Sequence, residues 1–320
     1  MTESLTRDQI LARLSAARDP VILVHVKPDG DAIGSAAALA HYYIARGQAV
    51  TVLSADPIPE RLAFLMDGLP TVPYTGRATR TVLSLDVAAE GQLGSLAREF
   101  GADTPPDFMI DHHETGAPFA PVYLVPHASA TGEILADLLI ALSGDTPLSQ
   151  EIATCLFAAI SSDTGCFRFS NATGDTFRRA AELLDLGADG ARVNHLLFES
   201  KSPRQLQAEA ATAERIALAA GGRISYAILP RSLLSDIGDE YFETAIDVVR
   251  EVQNVTVSFT MKEQPDGAFR VSLRSLSADV ASVAATHGGG GHRKAAGCTL
   301  RGMTAEDALT LLLRELAPLA

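Results

Sequence analysis

The stretch Asp111-His112-His113 combines a carboxylate with two imidazoles, groups that bind metal ions or transfer protons. It follows the apolar run 108–110, so we expect it where a buried strand ends. That edge of an open α/β sheet is where ligands bind. Further carboxylates and one more imidazole follow other predicted elements: His25, Asp29, Asp31, Asp86 and Asp163.

This set of side chains has the chemistry of a metal site. Carboxylate and imidazole ligands suit Mn²⁺, Mg²⁺ or Zn²⁺, and an oxygen-rich set without thiolate favours the harder ions. His25, Asp29, Asp31, Asp86, His112, His113 and Asp163 make seven candidates, which are too many for one ion. They suit two ions about 3.5–4 Å apart that share a bridging carboxylate, an arrangement that attacks phosphate esters.

A βαβ unit is predicted to position the first of these residues. Residues 21–26 form a β-branched, apolar run typical of a buried parallel strand, 33–46 are helical and 49–53 are a second strand. A nucleotide-binding unit would have glycines in its first turn, whereas His25, Asp29 and Asp31 need a cation between them and a phosphate. In the alternative reading Asp31 caps the helix and 28–30 is an ordinary turn, which leaves His25 without a role.

The remaining elements complete an α/β pattern. Thr6 and Gln9 have the spacing of a capping box at the start of a helix. Further strands are predicted at 78–85, 108–110 and 122–125, and helices at 91–100, 133–142 and 151–161. After Gly187 the predicted elements are a helix at 206–220, strands at 223–229, 255–261 and 268–273, and helices at 241–252 and 279–286.

Four successive glycines, Gly288 to Gly291, follow the last of these helices and precede His292. Such a run permits backbone N–H groups to converge on an anion. The alternative is a flexible linker. The adjoining His-Arg-Lys and the structured sequence after it favour anion binding.

Composition limits the class of protein. A chain of 320 residues with 47% hydrophobic side chains is globular and long enough for two cored domains. The net charge of −13 argues against a long positive track for duplex nucleic acid but leaves small anionic ligands open. Three widely spaced cysteines indicate neither a disulfide framework nor a zinc ribbon, so a cytoplasmic location is expected. We see no signal peptide and no apolar run long enough to span a membrane.

Taken together, these motifs resemble those of the DHH phosphoesterases. The matching residues are His25-x-x-x-Asp29-x-Asp31, Asp86 after an apolar strand, Asp111-His112-His113, and Asp163-Thr-Gly. Residues 269–275 and 288–297 resemble the DHHA1 domain, which accompanies DHH in proteins with nucleic-acid or nucleotide substrates. The resemblance covers nearly the whole chain and is closest to the stand-alone NrnA-like group. Lys27 departs from the pattern, since the family often has Asn before the proline.

The resemblance implies an α/β fold. An N-terminal DHH catalytic domain, 1–188, is expected to contain a parallel sheet with helices on both faces. Residues 189–220 are expected to form a linker or connecting helix. A smaller α/β DHHA1 domain, 221–320, is expected to bind substrate.

The resemblance also implies a role for each residue. His25 and Asp29 would hold one metal, Asp31, His112 and Asp163 the second, and Asp86 would bridge them. Asp111 would orient an imidazole, and His113 would face the scissile phosphate while a hydroxide bridging the two metals attacks in line. The residues expected to bind substrate are Arg274, Ser275, Gly288, Gly289, Gly290, Gly291 and His292.

The implied function is that of a hydrolase with two divalent metal ions, Mn²⁺ or else Mg²⁺. It would act as an oligoribonuclease on short single-stranded RNA and as a phosphatase on 3′-phosphoadenosine 5′-phosphate. The main alternative is a cyclic dinucleotide phosphodiesterase, and an inorganic pyrophosphatase is less favoured. An alternative of another class is a non-hydrolytic nucleotide sensor. A homodimer is expected by resemblance only.

Overall fold

The structure is a computed structural model that describes residues 2–70, 73–77 and 79–320. The chain divides into two units, Met1–Ser200 and Lys201–Ala320. The domain bounds 1–188, 189–220 and 221–320 stay a prediction. Ala78, the first residue of the strand predicted at 78–85, lies outside the described residues.

Helices and strands alternate through the first unit, and strands dominate the centre of the second. The helices α1 to α12 are Arg7–Ala16, Gly30–Ile44, Ala97–Phe100, Thr131–Ser143, Gln150–Asp163, Gly174–Asp185, Gly190–Asn194, Pro203–Ala213, Arg231–Ile237, Ala245–Arg250, Val280–Thr286 and Ala305–Leu316. The strands β1 to β11 are Val21–Leu23, Thr51–Leu53, Val82–Leu85, Phe108–Asp111, Val122–Leu124, Ala217–Ala219, Ile224–Leu229, Val257–Glu263, Phe269–Ser275, Gly290–His292 and Ala295–Leu300. No helix in the described part of the chain is long and apolar enough to cross a membrane.

The sheet of the first unit is parallel. Among the described residues its strand order is β2-β1-β3-β4-β5. Apolar side chains point to both faces: Ile22 packs with α1, α2, α4 and α5, whereas Val21 and Leu23 pack with Leu93 and Phe100 on the opposite face. This confirms the predicted parallel sheet covered on both sides, and it places the carboxyl ends of all its strands at one edge.

Two glycines of α2 allow this helix to pack closely on α5. A Cβ atom on Gly30 would lie 2.4 Å from Oγ of Ser162, and one on Gly34 would lie 2.7 Å from the carbonyl oxygen of Cys155. Neither position therefore admits a side chain without movement of the neighbouring helix. The close crossing brings the start of α2 beside the end of α5.

The turn after β1 differs from the prediction. The strand ends at Leu23. Lys27, in the turn between β1 and α2, has a left-handed φ of 50°. Asp29, not Asp31, caps α2, and its side chain accepts from the N–H groups of Asp31 and Ala32. Asparagine adopts left-handed φ more readily than lysine, which is a physical reason for the asparagine that the family resemblance leads one to expect here. The capping box of Thr6 and Gln9 is confirmed.

The sheet of the second unit is mixed. In the described chain its order is β10-β11-β9-β8-β7-β6, with β7 and β8 parallel and the other neighbours antiparallel. The turn at 265–267 joins β8 and β9 as predicted. One face packs on α11 and α12, and residues of α8, α9 and α10 pack near β7 on the other.

Two predictions in this unit were wrong. The helix predicted at 206–220 ends at Ala213, and Ala217–Ala219 is an edge strand that pairs antiparallel with β7. An Ala-rich sequence favours helix. Here hydrogen bonding to β7 makes residues 217–219 a strand instead. The glycine run is not a loop throughout, because Gly290–His292 forms an edge strand on β11.

Candidate metal centre

Five element ends bring the predicted ligands of the first unit together. His25 and Asp86 follow β1 and β3, and Asp111 is the last residue of β4, so all three lie at the carboxyl edge of the sheet. Asp29 and Asp31 lie at the start of α2, and Asp163 is the last residue of α5. The sheet order and the crossing of α2 with α5 thus gather residues that are more than a hundred positions apart.

Asp86 lies at the centre of this group and contacts two imidazoles through different oxygens. Its Oδ2 is 3.5 Å from Nε2 of His25, and its Oδ1 is 3.6 Å from Nε2 of His112. The side chain is 3% exposed, and the backbone has a left-handed φ of 60°. A non-glycine residue held in this conformation is strained. The fold therefore fixes a carboxylate between two groups of donors.

Candidate donor atoms lie on both sides of Asp86. On the side of Oδ2, Nε2 of His25 lies 3.8 Å from Oδ1 of Asp29. On the side of Oδ1, Nε2 of His112 lies 3.8 Å from Oδ2 of Asp31 and 3.7 Å from Oδ2 of Asp163. Possible ligand atoms fall within 4.8 Å of one another in the set His25, Asp29 and Asp86, and in the set Asp31, Asp86 and His112.

Backbone carbonyls orient both of these imidazoles. Nδ1 of His25 is 2.8 Å from the carbonyl oxygen of Val26, and Nδ1 of His112 is 3.1 Å from that of Ala128. A carbonyl can only accept, so Nδ1 carries the proton in each ring. Nε2 is then the ring atom that could coordinate a metal, as in metal sites where a histidine donates its other N–H to a carbonyl.

Asp111 supports His113 and not the ring of His112. Its Oδ1 accepts from Nδ1 of His113 at 2.7 Å and from the backbone N–H of His112 at 2.8 Å. The sequence left open which imidazole Asp111 orients, and the structure assigns it to His113. The adjacent histidines thus have different supports, a carboxylate for one and a carbonyl for the other.

The start of α4 holds Asp31. Oδ2 of Asp31 accepts from the N–H of Thr131 at 2.7 Å, and Oδ1 accepts from the N–H of Gly132 at 2.9 Å. The N-cap of this helix, Ala130, has no side-chain acceptor, so Asp31 supplies one from a different helix. Negative charge is favourable at a helix N-terminus, which offsets part of the cost of burying this carboxylate.

The acidic groups of the cluster differ in their affinity for protons. Burial raises the pKa of Asp31 well above its ordinary value, and the charge of Asp86 adds to the effect. Burial also raises the pKa of Asp163 to about 7, with further contributions from Asp29 and Asp86. Burial opposes ionisation of Asp86 too, but contact with His25 and the nearby histidines outweighs it and lowers that pKa. Like charges crowded in this way need a compensating cation.

The imidazoles compensate in part. Burial lowers the pKa of His25, but Asp29 and Asp86 outweigh it and raise it to about 11. Burial likewise lowers the pKa of His112, but Asp163, Asp86 and Asp31 raise it to about 9. Carboxylates that converge on imidazole Nε2 atoms, with no cysteine among them, fit two hard divalent ions. The residues present therefore fit the metal pair that the sequence predicts.

The sequence analysis did not predict the contacts that two residues make with candidate ligands. Thr131 donates its hydroxyl to Oδ1 of Asp86 at 3.1 Å. Asn171 donates from Nδ2 to the carbonyl oxygen of Asp163 at 3.2 Å and lies 3.5 Å from its Oδ2. Asn171 lies only 8 residues after Asp163, so the sequence offered a signal for that pair. Thr131 and Asp86 are 45 residues apart and could not be paired from the sequence.

The predicted substrate-binding residues of the second unit lie on β9, on β10 and in the turn between α11 and β10. Arg274 pairs with Ala295 across β9 and β11, and His292 pairs with the same residue from β10. Ser275 ends β9 and donates its hydroxyl to the carbonyl of Ala278 at 2.6 Å. Their role in binding substrate stays a prediction.

The glycine run does not form the anion nest that was expected of all four residues. The N–H groups of Gly288 and Gly289 donate to the carbonyls of Ala285 and Ala284 at the end of α11, so they are not directed at a ligand. A Cβ atom on Gly289 would lie 2.1 Å from the carbonyl oxygen of Gly297. A side chain at position 289 would therefore clash with β11, which explains why this residue is a glycine.

Comparison with known proteins shows the family of the chain. Residues 20–160 match the model of the DHH family, N-terminal domain, and residues 234–317 match that of the DHHA1 domain. The chain is 32% identical over 309 residues to the bifunctional oligoribonuclease and PAP phosphatase NrnA of Thermus thermophilus, covering 94% of this chain and 90% of that protein. The cyclic-di-AMP phosphodiesterase GdpP of Geobacillus thermodenitrificans is 32% identical over 212 residues, 62% of this chain and 30% of that protein.

A solved structure shares the fold. An exopolyphosphatase-related protein from Bacteroides fragilis has a TM-score of 0.86, with 23% identity over 98% of this chain and 96% of that one. Both family models match, and the NrnA relative matches nearly end to end. The chain therefore belongs to the DHH/DHHA1 phosphoesterase family, in its NrnA-like group.

Proposed function

We propose that this phosphoesterase removes nucleotides from short oligoribonucleotides and dephosphorylates 3′-phosphoadenosine 5′-phosphate, with Mn²⁺ as its metal. The observation that carries the reaction class is the position of Asp86, which presents one oxygen to each of two donor groups. Relatives described as oligoribonuclease and PAP phosphatase that match along nearly the whole chain support the choice of substrates.

Two donor sets would hold the metals. His25, Asp29 and one oxygen of Asp86 form the first, which we call subsite 1. The other oxygen of Asp86 belongs to subsite 2, together with Asp31, His112 and Asp163. When bound, two such ions activate water and stabilise charge on a phosphoryl group. The oxygen-rich set favours Mn²⁺ or Mg²⁺ over softer ions.

His113 is the residue of this cluster that we assign to the substrate. Burial lowers the pKa of its imidazole, but the hydrogen bond to Asp111 and the charge of Asp86 outweigh it, so the pKa is raised. The ring therefore keeps its positive charge to a higher pH than a free imidazole would. Because Nδ1 is held by Asp111, Nε2 is the atom that would donate to a phosphoryl oxygen as negative charge develops there.

The second unit would hold the rest of the substrate. Arg274 carries a planar guanidinium that suits bidentate contact with a phosphate. Ser275, His292 and the backbone of Gly290 and Gly291 complete the proposed surface. In this proposal residues 1–188 cut, 221–320 hold the substrate and 189–220 connect them. A local cationic site of this kind is compatible with a chain of net charge −13.

A cyclic dinucleotide phosphodiesterase is the second candidate. The GdpP match favours it, although that match covers a smaller part of both proteins. A cytoplasmic location and a homodimer also stay predictions. The cysteines of the described chain are free, which fits a reducing compartment.

The test is an assay of short RNA, 3′-phosphoadenosine 5′-phosphate and cyclic di-AMP, each with Mn²⁺ and then with a chelator. We expect Mn²⁺-dependent release of mononucleotides from RNA and of phosphate from the bisphosphate. Faster turnover of cyclic di-AMP than of both would favour the second candidate. Absence of metal-dependent turnover on all of them would favour a nucleotide sensor.

A further inference from the structure

Glu133, in the first turn of α4, joins three parts of the first unit through one carboxylate oxygen. Its Oε2 accepts from the backbone N–H of Ser129 at 2.9 Å, from the hydroxyl of Ser129, and from the hydroxyl of Thr176 at 3.1 Å. Ser129 and Thr176 are 1% and 0% exposed. Glu133 therefore fixes residues 128–129, the short segment that precedes α4, to that helix and to α6.

The fixed segment presents two successive carbonyl groups to the metal cluster. The carbonyl of Ala128 accepts from Nδ1 of His112 at 3.1 Å. That of Ser129 accepts from Nδ2 of Asn171 at 3.0 Å, and the same nitrogen donates to the carbonyl oxygen of Asp163. The amide nitrogen must face these atoms, because both are acceptors.

Only one side of the cluster depends on this segment. His112 and Asp163 belong to subsite 2, and their Nε2 and Oδ2 atoms lie 3.7 Å apart. In subsite 1 the ring of His25 is held by the carbonyl of Val26, and Asp29 accepts from N–H groups of α2. None of these contacts involves residues 128–129.

We propose that Glu133 is a positioning residue for subsite 2, acting through the carbonyls of Ala128 and Ser129 on His112 and Asp163. The inference rests on the proposed function in that it requires metal at this cluster. Without the carboxylate, the N–H and hydroxyl of Ser129 and the hydroxyl of Thr176 lose their acceptor. The carbonyl that keeps the proton on Nδ1 of His112 is then no longer fixed.

The experiment is a Mn²⁺ titration of the full chain followed by electron paramagnetic resonance, which separates free ions, single bound ions and coupled pairs. The wild-type chain is expected to bind two Mn²⁺ ions and to show a coupled pair. Glu133→Ala is expected to bind the first ion with unchanged affinity and the second about 10-fold more weakly, as when outer partners of metal ligands are removed. Glu133→Gln keeps an acceptor oxygen and should restore most of the second affinity.

Asp137→Ala is the matched control. Asp137 lies one turn further along α4 and pairs with Arg7 and Arg179, and in the described chain it forms no hydrogen bond or ion pair with residues 128–129. Both Mn²⁺ affinities should be unchanged in that variant. If Glu133→Ala does not fold, Ser129→Ala, which loses the hydroxyl and keeps the carbonyl, is expected to weaken the second ion only.

Two results would overturn the proposal: equal weakening of both ions in Glu133→Ala, or no change in either. Binding of a single ion by the wild-type chain would also overturn it. Failure of the proposed function has a different signature, namely two bound Mn²⁺ ions with no turnover of any tested substrate. In that case the titration still decides the role of Glu133.

Discussion

The hydroxyl of Thr131 donates a 3.1 Å hydrogen bond to Oδ1 of Asp86. Thr131 is the first residue of α4 and is fully buried. Asp86 directly follows β3, so the bond joins the start of a helix to the carboxyl edge of the sheet. It directs one of the two oxygens of the proposed bridging carboxylate. Asp31 accepts from the N–H of the same threonine, which therefore contacts two proposed ligands.

We expect Thr131→Val to lower kcat about 10- to 100-fold, the usual effect of losing an outer partner of a metal ligand. Valine has a similar shape but cannot donate to Asp86, while the N–H bond to Asp31 is kept. Steady-state kinetics with short RNA at saturating Mn²⁺ would measure the loss. Thr131→Ser retains the hydroxyl and serves as the control. Equal kinetics for the valine and serine variants would contradict the role assigned to the hydrogen bond.

Asp163→Asn should abolish turnover yet stabilise the metal-free protein at pH 8. In the folded chain the pKa of Asp163 is raised from 3.8 to about 7. Its contribution to the free energy of unfolding is therefore fully present below the unfolded pKa and is lost as pH rises through 7. Asparagine does not ionise, so the variant avoids this loss at pH 8. Thermal melts in chelator at pH 8 and pH 5 test this, because the advantage of the variant should shrink at pH 5. A lower Tm for the variant at pH 8 would count against the raised pKa.

Arg274→Ala should chiefly raise KM and leave kcat and Mn²⁺ binding near their original values. The guanidinium is proposed to hold a substrate phosphate in the second unit, apart from the metal ligands of the first. Kinetics with the bisphosphate provide the measurement. Arg301→Ala is the control, since Arg301 is 69% exposed and pairs with Asp266. A fall in kcat without a rise in KM would refute the assignment of Arg274.

Metal binding should release protons and strengthen as pH rises from about 6 to 9. In the metal-free protein the pKa values of His25 and His112 are raised to about 11 and about 9, so both rings hold protons at neutral pH. A metal ion must displace them. Calorimetric titration of Mn²⁺ at pH 7 in two buffers of different ionisation enthalpy would count the released protons. Identical heats in the two buffers would show that the histidines are already neutral.

Gly34→Ala should destabilise the chain by about 1–3 kcal/mol, the usual range for overpacking. Its Cβ atom would lie 2.7 Å from the carbonyl oxygen of Cys155 and 3.0 Å from the Cβ of Ala159, which forces α2 away from α5. Because Asp31 and Asp163 lie on these helices, Mn²⁺ affinity should fall as well. Gly91→Ala is the control, since a Cβ atom there would meet no described atom within 4 Å. Urea unfolding and Mn²⁺ titration of both variants test the prediction.

The sequence by itself determined the chemistry of the site and the class of fold. Carboxylates and imidazoles directly after apolar runs predict ligands at strand ends, since buried strands are recognised by composition. The motifs 25–31, 111–113 and 163–165 therefore indicate the DHH family. Local capping was also readable, as for Thr6 and Gln9, because those partners are three residues apart.

Only the tertiary structure decided which groups meet. The bond from Thr131 to Asp86, the support of His113 by Asp111 and the capping of α4 by Asp31 depend on the order of strands and the crossing of helices. Hydrophobic periodicity specifies which face of an element is buried but not which element covers it. The edge strand at Gly290–His292 was missed for the same reason, since its ladder with β11 is a pairing and not a local preference. The sequence thus names the candidate ligands, and packing assigns each one its partner.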